Sequence, residues 1–174
     1  MRPFKFFRGN SEKRKAAVFF VAFLLVCGFA ALFFLQRIPS LSIYNEDGRL
    51  LKKMPLPDGE FVHHYIHSIH KTPVDEVFIV KNGELILTQV TYDSYGVGMP
   101  TGEEEGFTLQ DGRFIVNLRR TFKQIDIRVS PVPDHGIILG DILYRFTDWA
   151  GVEDLLVLKP SVSYSIHFGR NSLP

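Results

Sequence analysis

The stretch VDEVFIVKNGELILTQVTY, residues 74–92, decides the fold. Two runs rich in Val, Ile, Leu, Phe and Thr flank Asn82-Gly83. β-branched and aromatic side chains fit a pleated surface. Asn-Gly supplies the two positive-φ positions that a type I′ turn requires. The reading is a hairpin of Val74–Val80 with Glu84–Tyr92. The chemistry repeats downstream, where Phe107–Gln110 and Arg113–Leu118 flank Asp111-Gly112. In that hairpin Phe114, Val116 and Leu118 alternate with Ile115, Asn117 and Arg119, so one face is wet. Lys123–Ser130 alternates as well, with Ile125, Ile127 and Val129 on one face and Asp126 and Arg128 on the other.

Outward from this centre the chain stays strand-like. Leu41–Tyr44 and Phe61–Ile66 lie upstream, separated by the turn pairs Asp47-Gly48 and Asp58-Gly59. Ile137–Leu139, Ile142–Phe146, Leu155–Leu158 and Ser163–Phe168 lie downstream, and Asp148–Leu155 has room for one helical turn. Short strands between regular turn signals predict an all-β domain, an antiparallel β-sandwich or small barrel.

One segment breaks the pattern. Residues 16–35 read AAVFFVAFLLVCGFAALFFL, with no charge. As a helix they span roughly 30 Å, the thickness of a bilayer core. The sequence therefore predicts one N-terminal transmembrane helix over 16–37, ended by Pro39. Residues 1–15 hold six Lys/Arg against Glu12, Arg37 adds one positive charge, and residues 39–174 hold 13 Lys/Arg against 18 Asp/Glu. The overall +1 thus hides a basic tail and an acidic domain. Basic residues before the span place the N-terminus in the cytoplasm. The apolar run is longer than the core of a cleaved signal peptide, and Gln36-Arg37-Ile38-Pro39 is a poor cleavage site. The expected layout is a basic cytoplasmic tail (1–15), an anchor in the lipid bilayer (16–37) and an extracytoplasmic domain (38–174). An acidic domain repels phosphate, so no nucleic acid is expected as partner. Cys27 is the one cysteine, so the chain forms no internal disulfide.

Candidate chemistry gathers in two stretches. The first is FVHHYIHSIHKTPVDE, residues 61–76, with four of the six histidines. On a helix His63, His67 and His70 would share a face. On a strand His63 and His67 share a face about 13 Å apart, too far for one ion. A serine hydrolase would need Ser68 beside a histidine, yet His67 points to the opposite face of a strand, and no Gly-x-Ser-x-Gly elbow is present. The second stretch is the long loop Asp93–Gly106, with Tyr95, Gly96, Gly98, Met99 and Pro100 ahead of Glu103–Glu105. Gly96-x-Gly98 opens no helix and lacks the Gly-Lys-Ser/Thr end, so it is neither a dinucleotide nor a phosphate loop. Neither an enzyme nor a cofactor is indicated.

Together His67-Ser68-x-x-Lys71-Thr72-Pro73-x-x-Glu76 and Tyr95-Gly96-x-Gly98-Met99-Pro100 resemble a small bacterial and archaeal domain family of unknown function. Genes of that family often neighbour those of TAXI-type TRAP transporters, solute importers with an extracytoplasmic binding protein. The resemblance implies membrane association and an accessory or interaction role toward the importer's membrane subunits or solute-binding protein. The alternative is a ligand- or metal-binding module using the histidine-rich strand. A physical account of the motif has Ser68 and Thr72 bonding local amides, Lys71 pairing with Glu76, and the glycines letting the second loop approach that turn.

Overall fold

The computed structural model describes residues 9–33, 35–93 and 107–166, and the side chains of residues 13–28, 36–93 and 108–165. The chain divides into two compact units, Ile38–Ser163 and the terminal segments Met1–Arg37 with Tyr164–Pro174.

In the terminal unit, α1 runs Gly9–Phe33. Its described side chains are exposed all round, Val18, Phe19 and Phe23 among them. Among the described residues no helix is long and apolar enough to cross a membrane. The helix stops at Phe33, and β1 (Leu35–Asn45) holds Gln36 and Arg37. Pro39, read as the end of a helix, lies inside that strand. It precedes the first residue paired with β2, Ser40 opposite Pro55, so its missing N–H breaks no bond of that ladder. Its carbonyl accepts from the Leu56 amide at 2.8 Å.

The larger unit is built on two sheets. One has the order β2 (Leu50–Pro55), β1, β11 (Leu155–Ile166), β8 (Ile125–Arg128). The other has the order β10 (Ile142–Arg145), β9 (Gly136–Leu139), β3 (Glu60–Ile66), β4 (Pro73–Lys81), β5 (Glu84–Tyr92), β7 (Arg113–Phe122), β6 (Phe107–Gln110). Leu41 and Ile43 of β1 and Leu156 and Leu158 of β11 share a buried core with Phe61, Phe78, Leu85 and Val116 of the larger sheet. Phe61 stacks on Phe78 at 5.2 Å between centroids. Two sheets enclosing one core make the domain sandwich-like rather than a closed barrel.

Both hairpins at the centre of the sequence form. Asn82 and Gly83 take φ of 53° and 75°, and Asp111 and Gly112 take 51° and 81°. Val116 and Leu118 are buried while Asn117 and Arg119 are exposed, and Ile127 is buried between exposed Asp126 and Arg128. Three features depart from the sequence reading. β2 carries Lys52, Lys53 and Pro55 and shows no strand signature. β11 is one strand of 12 residues where two shorter ones are expected. The helical turn is a 3-10 turn at Phe146–Asp148, ahead of its expected place.

Candidate functional site

The β3–β4 hairpin sets the site by register. His63 lies opposite Glu76, and its neighbour His64 lies opposite Asp75. Successive strand residues face opposite ways, so one hairpin offers two carboxylate–imidazole pairs, one on each face of the sheet. The His63 Nδ1–Glu76 Oε2 distance is 2.8 Å, and the His64 Nδ1–Asp75 Oδ1 distance is 2.6 Å.

On the inner face the pair continues to His135, whose Nε2 is 3.0 Å from His63 Nε2. His135 lies on the connection between β8 and β9. Gly136 follows it, and a Cβ there would lie 2.2 Å from the carbonyl oxygen of Tyr144, so only glycine fits this close approach. Before it, Asp134 takes φ 65° and is held by Arg145 at 2.8 Å. The His135 ring stands edge-on to Phe146 at 4.9 Å, and its carbonyl accepts from the Phe146 amide.

The direction of every proton in this array follows from one backbone amide. The Ser130 N–H donates to His135 Nδ1 at 2.9 Å. That nitrogen therefore carries no proton, and the ring's one N–H is on Nε2. His63 Nε2 must accept from it, so the His63 proton sits on Nδ1 and is donated to Glu76. The result is a one-way chain, His135 to His63 to Glu76, with both rings neutral. Burial, with His63 and His64 nearby, pushes His135 down to about 4, in keeping with a neutral ring. Burial, and then the negative charge of Glu76, pushes the neighbouring Tyr65 phenol well above its ordinary value.

The chain forms one wall of an open cleft of about 550 Å³. Tyr65 from β3, His67 and Ser68 from the turn after it, and Asp126, Ile127 and Ser130 from the β8 side complete much of its lining. This size falls in the range of small-molecule sites.

On the outer face, His64 and Asp75 meet charge instead. Arg113 donates to Asp75 at 3.0 Å and to Asp93 at 2.5 Å. Burial works to raise Asp75, but the hydrogen bonds and charges of His64 and Arg113 outweigh it and hold its carboxyl below the ordinary value. Burial works to lower Arg113, and bonding to Asp93 and Asp75 outweighs that too.

The first motif forms the turn between β3 and β4. The His67 amide donates to the Thr72 carbonyl at 2.8 Å, and the Lys71 amide donates to the His67 carbonyl at 2.9 Å, with Lys71 at φ 57°. The amides of Ile69 and His70 donate to His67 Nδ1 at 3.3 and 3.2 Å. The capping role expected of Ser68 and Thr72 thus falls to the imidazole of His67. Pro73 is the first residue of β4, where a missing N–H is tolerated. The expected Lys71–Glu76 pair is replaced, since the Glu76 carboxylate bonds His63. Tyr95, Gly96, Gly98, Met99 and Pro100 lie outside the described residues.

Three features of the site escape the sequence reading. The His63–Glu76 pair could be found by counting back through a six-residue turn, given the register. His64 with Asp75 follows from the same count. His135 lies 72 residues from His63 and carries no local signal at all.

The geometry defines a class, a two-sheet antiparallel β-domain with a polar cleft against an ordered carboxylate–imidazole–imidazole chain. Residues 61–146 match the family model DUF1850, a domain of unknown function. No curated protein and no solved structure matches the chain. The matched region begins in β3 and ends at Phe146, and it encloses His63, Glu76 and His135.

Proposed function

We propose that this chain is a non-catalytic accessory module of a membrane solute importer of the TAXI-type TRAP class. It is held at the extracytoplasmic face by its N-terminal apolar run and binds a small ligand in the cleft. The observation that carries the binding reading is the one-way hydrogen-bond chain in the cleft wall. A general base needs an open lone pair near substrate. Here the His63 lone pair accepts from His135, and the His135 lone pair accepts from a backbone amide. The two imidazoles hold a shape and present polar surface without offering an imidazole base.

Support for the anchor comes from the exposed apolar side chains of α1, from the basic residues Lys13, Arg14 and Lys15 beside them, and from the apolar sequence that continues to Leu35. The turn at the cleft mouth supplies the docking surface toward the importer's membrane subunits or solute-binding protein. Ile69 is 68 % exposed there and gives that surface an apolar contact point.

The test is co-purification from mildly solubilised native membranes through a C-terminal tag. Importer subunits should accompany the full-length chain and be lost, with the fold intact by circular dichroism, in an Ile69→Asp, Lys71→Glu chain. Recovery of the protein without importer subunits at native abundance overturns the accessory role.

The alternative, a ligand- or metal-binding module on the histidine strand, divides at the same point. Its ligand half draws on the cleft. Its metal half meets an obstacle in the donor set, because backbone amides occupy Nδ1 of both His67 and His135 and force the proton onto each Nε2. Among the described residues no group of three His, Cys, Asp or Glu is placed to hold an ion.

A further inference from the structure

The smaller sheet ends on β8, and among the described residues no strand pairs with its far side. The ladder decides which backbone groups look that way. The Val129 amide donates to the Asp154 carbonyl at 3.0 Å, and the Val129 carbonyl accepts from the Glu153 amide at 2.9 Å, so Val129 bonds toward β11. In an antiparallel ladder successive residues bond to opposite sides. Ile127 and Ile125 therefore bond β11, and the amides and carbonyls of Asp126 and Arg128 point to the open side. Ser130 is the next residue of that set, and its amide bonds His135 instead of β11. The cleft lies along this edge. Ile125, Asp126 and Ile127 line it in succession. Successive side chains point to opposite faces, so three in a row line one cleft only along the strand's edge. The Asp126 side chain itself faces away from the core and accepts from Gln124 at 2.9 Å. Across from the edge lie His63, Tyr65 and Glu76, from the inner faces of β3 and β4. The opposite edge of the smaller sheet, β2, carries Lys52, Lys53 and Pro55, residue types that discourage strand addition, whereas β8 carries neither lysine nor proline.

We infer that β8 takes up an extended segment of a partner polypeptide as a fifth, antiparallel strand of the four-stranded sheet, and that the segment reads acidic–apolar–basic. Main-chain hydrogen bonds to Asp126 and Arg128 supply the attachment, as in other cases of strand addition. The side chains supply the choice. Residues directly opposite each other share a face, and opposite charges there attract. The residue opposite Arg128 comes first in an antiparallel segment, points outward and is acidic. The next lies beside Ile127, points into the cleft and is apolar. The third lies opposite Asp126, points outward and is basic. Both outward positions are exposed, so charge there tunes the choice of partner more than it adds affinity. The inference goes beyond the small-ligand reading given above. It adds a polypeptide partner, and it draws on the β8 edge and not on the proton order of His135 and His63.

The probe is the fluorescein-labelled peptide Thr-Glu-Val-Lys-Val-Thr, read by anisotropy against the full-length chain in maltoside micelles at neutral pH. It should bind saturably. The order Thr-Lys-Val-Glu-Val-Thr should bind at least about fivefold more weakly, and Asp126→Lys with Arg128→Glu should invert that preference. Methylating the amide nitrogen of the peptide's lysine, which faces β8, should cost at least about tenfold, and methylating that of the central valine, which faces away, less than about twofold. Asp126→Pro removes a donor on the open side and spares the β8–β11 ladder, so it should lose the peptide and keep its thermal midpoint. No saturable binding, or binding indifferent to the lysine N-methyl group and to Asp126→Pro, overturns strand addition at β8. Equal binding of the two charge orders overturns the acidic–apolar–basic segment. β8 itself reads Asp126-Ile127-Arg128, the same order, so a second copy of this chain is the competing occupant. A dimer in sedimentation that the peptide dissociates overturns the partner polypeptide in favour of that copy. Every variant used keeps His63, Glu76 and His135, so failure here leaves the small-ligand reading standing, and the co-purification result is independent of both.

Discussion

Two carboxylate–imidazole pairs stand back to back on one hairpin, and they end differently. His63 with Glu76 faces inward and finishes on His135, a neutral ring. His64 with Asp75 faces outward and finishes on Arg113 and Asp93. The hairpin contributes the same residue types to both. The third partner decides the outcome. A backbone amide behind His135 makes the two inner rings neutral and their array directional, whereas a guanidinium makes the outer one an ion-pair network. The outer network ties β4, β5 and β7 together near the surface, where such pairs contribute little stability each. The inner array is buried, and a buried polar group that loses its partner is costly. Adjacent residues of one strand can therefore differ in role although their nearest contacts look alike.

The largest expected effect comes from breaking only the inner array at its support. Gly136→Ala places a Cβ against the Tyr144 carbonyl oxygen, 2.2 Å away. The β9–β10 hairpin must shift and His135 with it. A loss of at least about 4 kcal/mol is expected in denaturant titration. A loss under about 1 kcal/mol would show that this close approach is readily relieved.

Next is pH, which separates the two arrays by window. Unfolded His135 takes up a proton near pH 6.5, and folded His135 not until about 4. Between those values the unfolded chain binds more protons, so stability is full above about pH 6.5 and falls as the pH is lowered toward 4. The loss should be on the order of 3 kcal/mol by that end of the window. His135→Gln should flatten this slope. The outer array acts lower. Asp75 lies below its ordinary 3.8, so its contribution persists above that value and is lost only in stronger acid. An unchanged slope in His135→Gln would place the acid sensitivity elsewhere.

The smallest expected effect, a difference of about 2 kcal/mol between two variants, is the sharpest comparison. His63→Ala leaves Glu76 and the His135 N–H without their partner and should cost about 3 kcal/mol. His64→Ala leaves Asp75 with Arg113 and should cost about 1 kcal/mol. Equal costs, measured by chemical denaturation at pH 7, would erase the distinction between the faces.

How much of this could be read from the sequence depended on range. The hairpins were legible because Asn82-Gly83 and Asp111-Gly112 fix a turn within two residues, and alternation over β7 and β8 fixes the buried face. Pro39 misled for the opposite reason. Its cost inside a strand depends on whether a neighbouring ladder needs its N–H, and that neighbour, β2, is built of lysines and leucines with no alternation. At the site, His63 and Glu76 were both visible as residue types, but Lys71 looked the better partner for Glu76 on charge alone. Register overruled charge, since Lys71 lies at the tip of the turn and His63 lies directly across the ladder. The proton order needed the Ser130 amide, and nothing in a side-chain pattern reports a main-chain donor.

The strand order of the smaller sheet also bears on how the protein is made. β1 pairs with β11, whose last residue, Ile166, follows the end of β5 at Tyr92 by 74 positions. The β3–β4–β5 meander can fold from local contacts as soon as it emerges. The facing sheet must wait for its own β11, roughly 4–15 s later at ordinary rates of synthesis. Throughout that interval the apolar face of the nascent meander, Phe61, Phe78 and Leu85 included, lacks the part of its cover that Leu156 and Leu158 of β11 supply. A chaperone would meet this domain as a half-built sandwich whose remaining strands arrive only with β11.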